Sequence, residues 1–423
     1  MSARAGLLDL APLRRGPAFR RLWAGGLLSA FGGQLGLVAL LQLVWDLTGS
    51  AAMMGTLGLA HAVPMVVLGL YGGALADSYD RRSVVLATTA GGAAFAVALA
   101  AQAAYGMRSL LLVLALVALQ AGLGALGAPA RRALIARLLP PGEVAAGVAL
   151  THVGFQVAML VGPAVGGVLV AYGGAEVAFA VQAVLMVVAW LVTRGLPAVS
   201  PRGVAERGER AAVLAGLQYV ARSALLRGAV LTDVLATVLV MPVALFPVVV
   251  DARFDGDPAI TGLMLSAVGA GGIVGGLASG VVTRGARPGR TMVVAATVWC
   301  LGVAAFGASL WLLPALAALA VAGAADTFAV IARGVVTQVA TTDEQRGRVS
   351  SVEHVVGVAG PDLGNARGGV VAGFSSPEVA LVSGGLLGAA GVIAVSVTHP
   401  AVRGFSRASG AERPVSRRRR ARR

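Results

Sequence analysis

Apolar runs of about twenty residues alternate with short polar breaks along the chain. They lie roughly at Leu22 to Leu47, Ala52 to Ala76, Ser83 to Tyr105, Leu110 to Leu134, Val144 to Tyr172 and Val177 to Val192. A second series follows at Leu226 to Val250, Ile260 to Val282, Thr291 to Leu310, Leu312 to Val336, Ser350 to Gly373 and Val379 to Val397. A helix of about twenty apolar residues crosses a hydrocarbon layer of roughly 30 Å, and a helix satisfies its own backbone polar groups where no water can. The pattern predicts an all-α membrane protein with twelve transmembrane helices.

The loops between the runs carry a second pattern. Basic residues fall on alternate loops: Arg4 to Arg21, Arg81 and Arg82, Arg131 to Arg137, Arg194 to Arg227, Arg284 to Arg290, Arg346 and Arg348, and the tail. The opposite loops hold only Arg108 and Arg253. Cytoplasmic loops collect Lys and Arg, so an even number of crossings with both termini cytoplasmic, in the bacterial inner membrane, is expected. The first apolar run lacks a small-residue cleavage site and reads as a retained helix.

The longest internal loop opens on Pro197 and continues through Glu206, Arg207, Glu209 and Arg210. It divides the chain into a cytoplasmic segment (1–21), a six-helix bundle (22–196), a linker (197–225), a second six-helix bundle (226–398) and a basic tail (399–423). Within the linker, Ala211 to Arg222 can form a short interfacial helix with Leu214, Leu217 and Val220 on its apolar side.

The two bundles show traces of a repeat. Gly69 and Gly73 recur at an offset of 207 as Gly276 and Gly280, and Arg132 and Glu143 recur at 201 as Arg333 and Glu344. Gly162-Pro163 and Gly166 recur at 198 as Gly360-Pro361 and Gly364.

Composition narrows the chemistry. At 57% hydrophobic and 13% charged residues, the chain lies outside the range of soluble domains. All 34 basic residues are Arg, which excludes a Walker lysine for ATP and a Schiff-base lysine for a bound aldehyde cofactor. Cys300 stands alone, so no intrachain disulfide forms, and His61, His152, His354 and His399 share no metal-ligand spacing. No hydrolytic constellation appears. Neither an enzyme nor a cofactor or metal is expected. The tail ending Arg417 to Arg420, Arg422 and Arg423 is either a solvated segment that enforces orientation or a surface for anionic membrane lipids; without aromatic or folded context it does not indicate nucleic acid.

One hairpin carries a specific signature. Gly73, Asp77, Arg81 and Arg82 resemble the loop motif of the major facilitator superfamily, a Gly, an Asp four residues on, then paired basic residues. Ser78 and Asp80 depart from it, where the family often has a basic residue and a Gly. The motif implies a gate: Gly73 admits a close helix approach, and Asp77 can pair with Arg81 or face the positive end of a neighbouring helix. A solvated hairpin that serves only topology is the alternative. Arg284 stands where a second Asp77 would be, so the repeat of this loop is degenerate.

Gly162, Pro163, Gly166 and Gly167 resemble the superfamily's exporter signature, with Ala158 in place of its first Gly. Small residues four apart give a smooth face for tight packing and Pro163 bends the helix; in the family this goes with antiporters that export. Phe19-Arg20-Arg21-Leu22-Trp23, Leu47-Thr48-Gly49-Ser50, Pro129-Ala130-Arg131-Arg132 and Arg346-Gly347-Arg348-Val349-Ser350-Ser351 are similar to the branch of enterobactin and macrolide exporters. Gly33 departs from it, where relatives often carry an acid or amide.

Ionisable residues inside spans each cost about 2.5–3.5 kcal/mol and need a reason. Asp233 on span seven and Asp326 on span ten are candidates for a proton or substrate-cation site, since the resemblance implies that these spans line a cavity. Arg333 lies seven residues beyond Asp326, about 10 Å along the same face. The alternative is that Asp326 and Arg333 make fixed interhelical bonds. Asp362 lies mid-span on eleven, and Glu353 and His354 one turn into it, placed for gating, structural bonding or coupling. Gln34, Gln120 and Gln156 can line the path.

The resemblance implies a proton-coupled exporter of a small organic molecule such as a drug, a macrolide-like product or a siderophore. It would work as a monomer by rocking its two bundles. An importer, or a membrane sensor or scaffold that moves nothing, remains open from the residues alone.

Overall fold

The computed structural model describes residues 9–106, 109–199 and 209–406, excluding the side chains at 70, 73, 74, 76, 77, 209–213 and 343. Its long helices are α1 (Pro17–Thr48), α2 (Ala51–Ser78), α3 (Arg81–Ala104) and α4 (Leu110–Leu138), followed by the stretch Val144–Thr193. That stretch breaks at Gly174, whose φ of 74° is open to glycine, into α5 (144–173) and α6 (175–193). Then come α7 (Ala224–Val238, resumed as Phe246–Arg253), α8 (Pro258–Leu277), α9 (Pro288–Ala308), α10 (Leu312–Ala340), α11 (Asp343–Phe374) and α12 (Pro377–Thr398).

Ten described segments are long and apolar enough to cross a membrane. One of them is the double helix α5–α6, and the charged α11 is a further 32-residue helix, which brings the long helices to twelve.

Local chemistry sets the helix starts. Ser50, Asp80, Ser109, Ser223 and Ser376 each accept a bond from a backbone N–H three residues on, satisfying a donor that the helix leaves orphaned. Pro17, Pro288 and Pro377 sit in the first turn, where no backbone donor is lost.

The helices sort into two units: the described residues up to Glu209 with Phe246–Ser266, and Arg210–Leu245 with the described residues from Ala267 on. In the first, α1 runs along α5 and α6, and α2 along α4. Phe19, Leu22, Val85, Leu134 and Leu150 form a buried cluster there. In the second, α9 packs against both α10 and α12, and Met292, Ala332, Val336 and Val402 are buried together.

Span seven is not the uninterrupted helix its apolar run suggests. Helical structure stops at Val238, passes Pro242 and a short turn at Val243–Leu245, and resumes at Phe246. Pro242 has no backbone N–H and its ring clashes with the preceding turn. The linker helix runs Glu209–Arg222; Val220 is buried against Leu226, Val349 and Val352, while Leu214 and Leu217 are exposed.

Candidate functional site

In the second unit, Asp233 on α7 and Asp326 and Arg333 on α10 line one narrow cavity of about 20 Å³ with Thr232, Thr237 and Trp299. The Arg333 guanidinium pairs through Nη1 with the Asp233 carboxylate. Its Nε lies 4.0 Å from Oε1 of Glu353 on α11, so one cation ties three helices together. The three side chains are only 13%, 13% and 24% exposed. An Asp326–Arg333 bond is not formed. Seven residues apart on one helix, the two positions are separated by about 10 Å along the axis, whereas Asp233 meets Arg333 from the neighbouring helix. Asp326 has no hydrogen-bond or ion-pair partner among the described residues.

Glu353 and His354 lie nearly three turns into α11 rather than one, because the helix starts at Asp343 and absorbs the polar segment before Ser350. His354 and Asp362 each have interactions of their own and neither lines this cavity. Two residues of α11 repair the break in α7. Arg367 Nη1 donates to the carbonyls of Leu239 at 2.7 Å and Ala380 at 3.2 Å, and Asn365 Oδ1 accepts from the Ala244 N–H at 3.0 Å.

The first unit holds a larger cavity of about 400 Å³, which gathers Gln34 of α1 and Gln120 of α4 with His61, Gln182 and Arg131, none of which the sequence assigns to the path. Gln156 does not line it. Arg131, expected in a loop as a marker of sidedness, lies inside α4, which continues to Leu138; its Nη2 donates to Thr89 Oγ1 at 3.1 Å.

The hairpin between α2 and α3 is stapled to the end of α6. Asp80 caps α3 by accepting from the Ser83 N–H and hydroxyl, and its other oxygen accepts from the Val199 N–H at 2.7 Å. Partial burial of Asp80 disfavours its charge, but the bonds from Ser83, Val199 and Arg82 outweigh this and hold its carboxyl below the ordinary 3.8. Arg82 donates to the Arg194 carbonyl at 2.9 Å and Arg21 to that of Gly195 at 2.5 Å, placing two cations at the negative end of α6. Arg81 is 9% exposed. Gly73 and Asp77 lie outside the residues whose surroundings are described.

The exporter-like glycines are contact points. A methyl group on Gly162 would lie 2.7 Å from Gln34 Cβ, on Gly166 2.6 Å from the Leu35 carbonyl oxygen, and on Gly167 2.8 Å from that of Pro258. In the second unit, Gly360 and Gly364 of α11 meet Thr237 and Met241 in the same way. The fifth helix against the first is thus matched by the eleventh against the seventh.

A family model described as "Transmembrane secretion effector" matches residues 8–415. The chain belongs to that family. This family of the major facilitator superfamily makes the chain a membrane transporter and not an enzyme. The chain is 26% identical over 387 residues to the enterobactin exporter EntS of Shigella boydii serotype 18 (strain CDC 3083-94 / BS512), covering 91% of this chain and 92% of that protein. The exporter of the same name from Escherichia coli O157:H7 (strain EC4115 / EHEC) matches with the same identity and coverage. Among solved structures, a POT family transporter bound to a thioalcohol-conjugated peptide superposes with a TM-score of 0.71 at 10% identity, covering 91% of this chain and 96% of that one. The nucleoside transporter NupG superposes with a TM-score of 0.70 at 15% identity, covering 92% and 100%. At these identities the structures establish the fold alone.

Proposed function

We propose that this secretion-effector family member is a proton-coupled exporter of a small organic molecule in the bacterial inner membrane, working by alternating access with both termini cytoplasmic. The observation that carries the coupling is the cluster of Asp233, Asp326, Arg333 and Glu353. Two carboxylates, Asp233 and Glu353, share one guanidinium, and a third carboxyl, that of Asp326, lies unpaired in the cavity that Asp233 and Arg333 line, inside a bundle that sits in lipid, where each unbalanced charge is costly. Protons supply the balance, and Asp326, which makes no pair, is the group that takes one up and releases it as the partners of Arg333 change. A proton entering down a membrane potential contributes about 2.3 kcal/mol per 100 mV, enough to concentrate a solute tens-fold.

Export rather than import is supported by the similarity to the enterobactin exporters and by the motif Gly162, Pro163, Gly166 and Gly167, whose glycines, lacking side chains, let α5 lie against α1 and the start of α8. Gly73, Asp77, Arg81 and Arg82 serve as the gate of the same cycle. The experiment is proton-driven accumulation in everted vesicles of a compound found by screening cells with and without the protein. Asp326→Asn, still inserted, is expected to abolish it; unchanged uphill accumulation removes Asp326 from the coupling role.

A further inference from the structure

We propose that the cavity of the first unit binds an organic anion, with Arg131 as the residue that holds its charge. The inference rests on the transporter reading and names the substrate class for it.

Arg131 lies inside α4, two turns before Leu138. A guanidinium inside a membrane-spanning helix costs about 2.5–3.5 kcal/mol unless something answers it. Two cations inside other spans are answered: Arg333 by Asp233 and Glu353, and Arg367 by the carbonyls of Leu239 and Ala380. Arg131 has one neutral acceptor, Thr89 Oγ1, for a group with five donors, and among the described residues no carboxylate pairs with it. It borders two cavities, of about 400 Å³ and 330 Å³, and no Asp or Glu lines either.

Other polar groups in the cavity also lack partners. Ser29 lines both cavities, and its hydroxyl oxygen is buried with no partner. Gln182 is 4% exposed, lines the larger cavity and has an unpartnered amide oxygen. An anion beside Arg131 accepts a hydrogen bond from the Ser29 hydroxyl as a second donor, and a hydroxyl or N–H elsewhere on the molecule donates to the Gln182 amide oxygen. Leu37, Leu40, Met65, Phe179 and Met186 supply apolar wall, and the volume lies in the range of about 300–1,000 Å³ that small-molecule sites occupy. The ligand is therefore a soluble organic acid, a carboxylate or sulfonate on an apolar body. An anionic lipid headgroup shares that charge and is distinguished below.

Gly26 offers a way to silence Arg131 without altering it. A methyl group built on Gly26 lies 3.9 Å from Arg131 Nη1, so the carboxylate of Gly26→Asp reaches the guanidinium and takes the anion's place.

The test uses the full chain in neutral detergent. Thermal unfolding is followed while titrating 2-naphthoate, naphthalene-2-sulfonate and 2-naphthylmethylammonium, with phosphatidylglycerol as a separate arm. Both soluble anions are expected to raise the midpoint, and the cation is not. Arg131→Gln and Gly26→Asp are each expected to raise the half-saturating anion concentration at least tenfold, and Arg131→Lys by less. Should Arg131→Gln fail to fold, Gly26→Asp decides the question. Binding of the cation alone, binding of none of the three, stabilisation by phosphatidylglycerol alone, or wild-type anion binding by Gly26→Asp would overturn the proposal. Anion binding without uphill transport would sink the exporter reading and leave this site standing; export confined to cations would do the reverse.

Discussion

Arg367 of α11 donates a charged hydrogen bond of 2.7 Å to the carbonyl of Leu239, the residue at which α7 breaks off. Irregular backbone is tolerated at membrane depth only where protein or a cavity satisfies it, and Arg367 with Asn365 does this for the break. Arg367→Leu leaves the Leu239 carbonyl without its donor and is expected to cost about 2–3 kcal/mol, read as a lower unfolding midpoint in detergent. Asn365→Leu orphans the Ala244 N–H and costs about 1–3 kcal/mol. Wild-type midpoints in both variants would show that the break is held by other contacts.

Asp80 predicts an acid-sensitive staple. Its folded carboxyl titrates below the ordinary 3.8 because Ser83, Val199 and Arg82 bond to the charged form. A depressed carboxyl contributes stability above its unfolded value that is lost as pH falls through the folded one. The midpoint of Asp80→Asn should therefore lie below wild type by a constant amount from pH 7 to about 5 and converge with it below 3.8. A gap that persists at the acid end would assign the staple to shape rather than charge.

Gly166 is set against backbone. An added methyl would meet the Leu35 carbonyl oxygen at 2.6 Å and its Cα at 3.0 Å, and backbone cannot rotate aside as a side chain does. Gly166→Ala is expected to cost about 1–3 kcal/mol as overpacking and to slow transport. Gly33, with nothing within 4 Å of an added methyl, is the matched control, and Gly33→Ala should leave the melting point unchanged.

The Asp233–Arg333 pair is nearly buried. Asp233→Asn strands the guanidinium with Glu353 at 4.0 Å and is expected to cost about 3 kcal/mol. Adding Arg333→Gln should recover part of that loss, so the double variant is less damaged than the sum of the singles. Additive losses in a double-mutant cycle would dissolve the pair as an energetic unit.

Much of the fold is legible in residue order, because lipid forces apolar length and loop charge to report crossings directly. Phe19 to Trp23 stand out as a motif, and the packing supplies the reason: Phe19 is fully buried, Trp23 donates to the Leu150 carbonyl, and Arg21 holds the end of α6. Pairings across long separations are not legible. Nothing in spacing tells Arg333 to choose Asp233, one hundred residues away, over Asp326 on its own helix. Arg367 was equally opaque, since its partners are carbonyls, which every residue carries. Arg131 falls inside the fourth apolar run yet reads with the loop charges as a mark of sidedness, because Arg132 and Arg137 follow it and nothing in the spacing shows the helix continuing to Leu138. Pro242 was the available signal for the break in α7, overridden by the apolar run around it.

The proposed driving force is a proton held in the second unit. Energised everted vesicles read it out through uptake of a compound the protein moves, in wild type and in Asp326→Asn, with and without a protonophore. Wild-type accumulation is expected to collapse when the protonophore is added, and Asp326→Asn to show none from the outset. Accumulation that survives both the protonophore and the substitution rules proton coupling through Asp326 out.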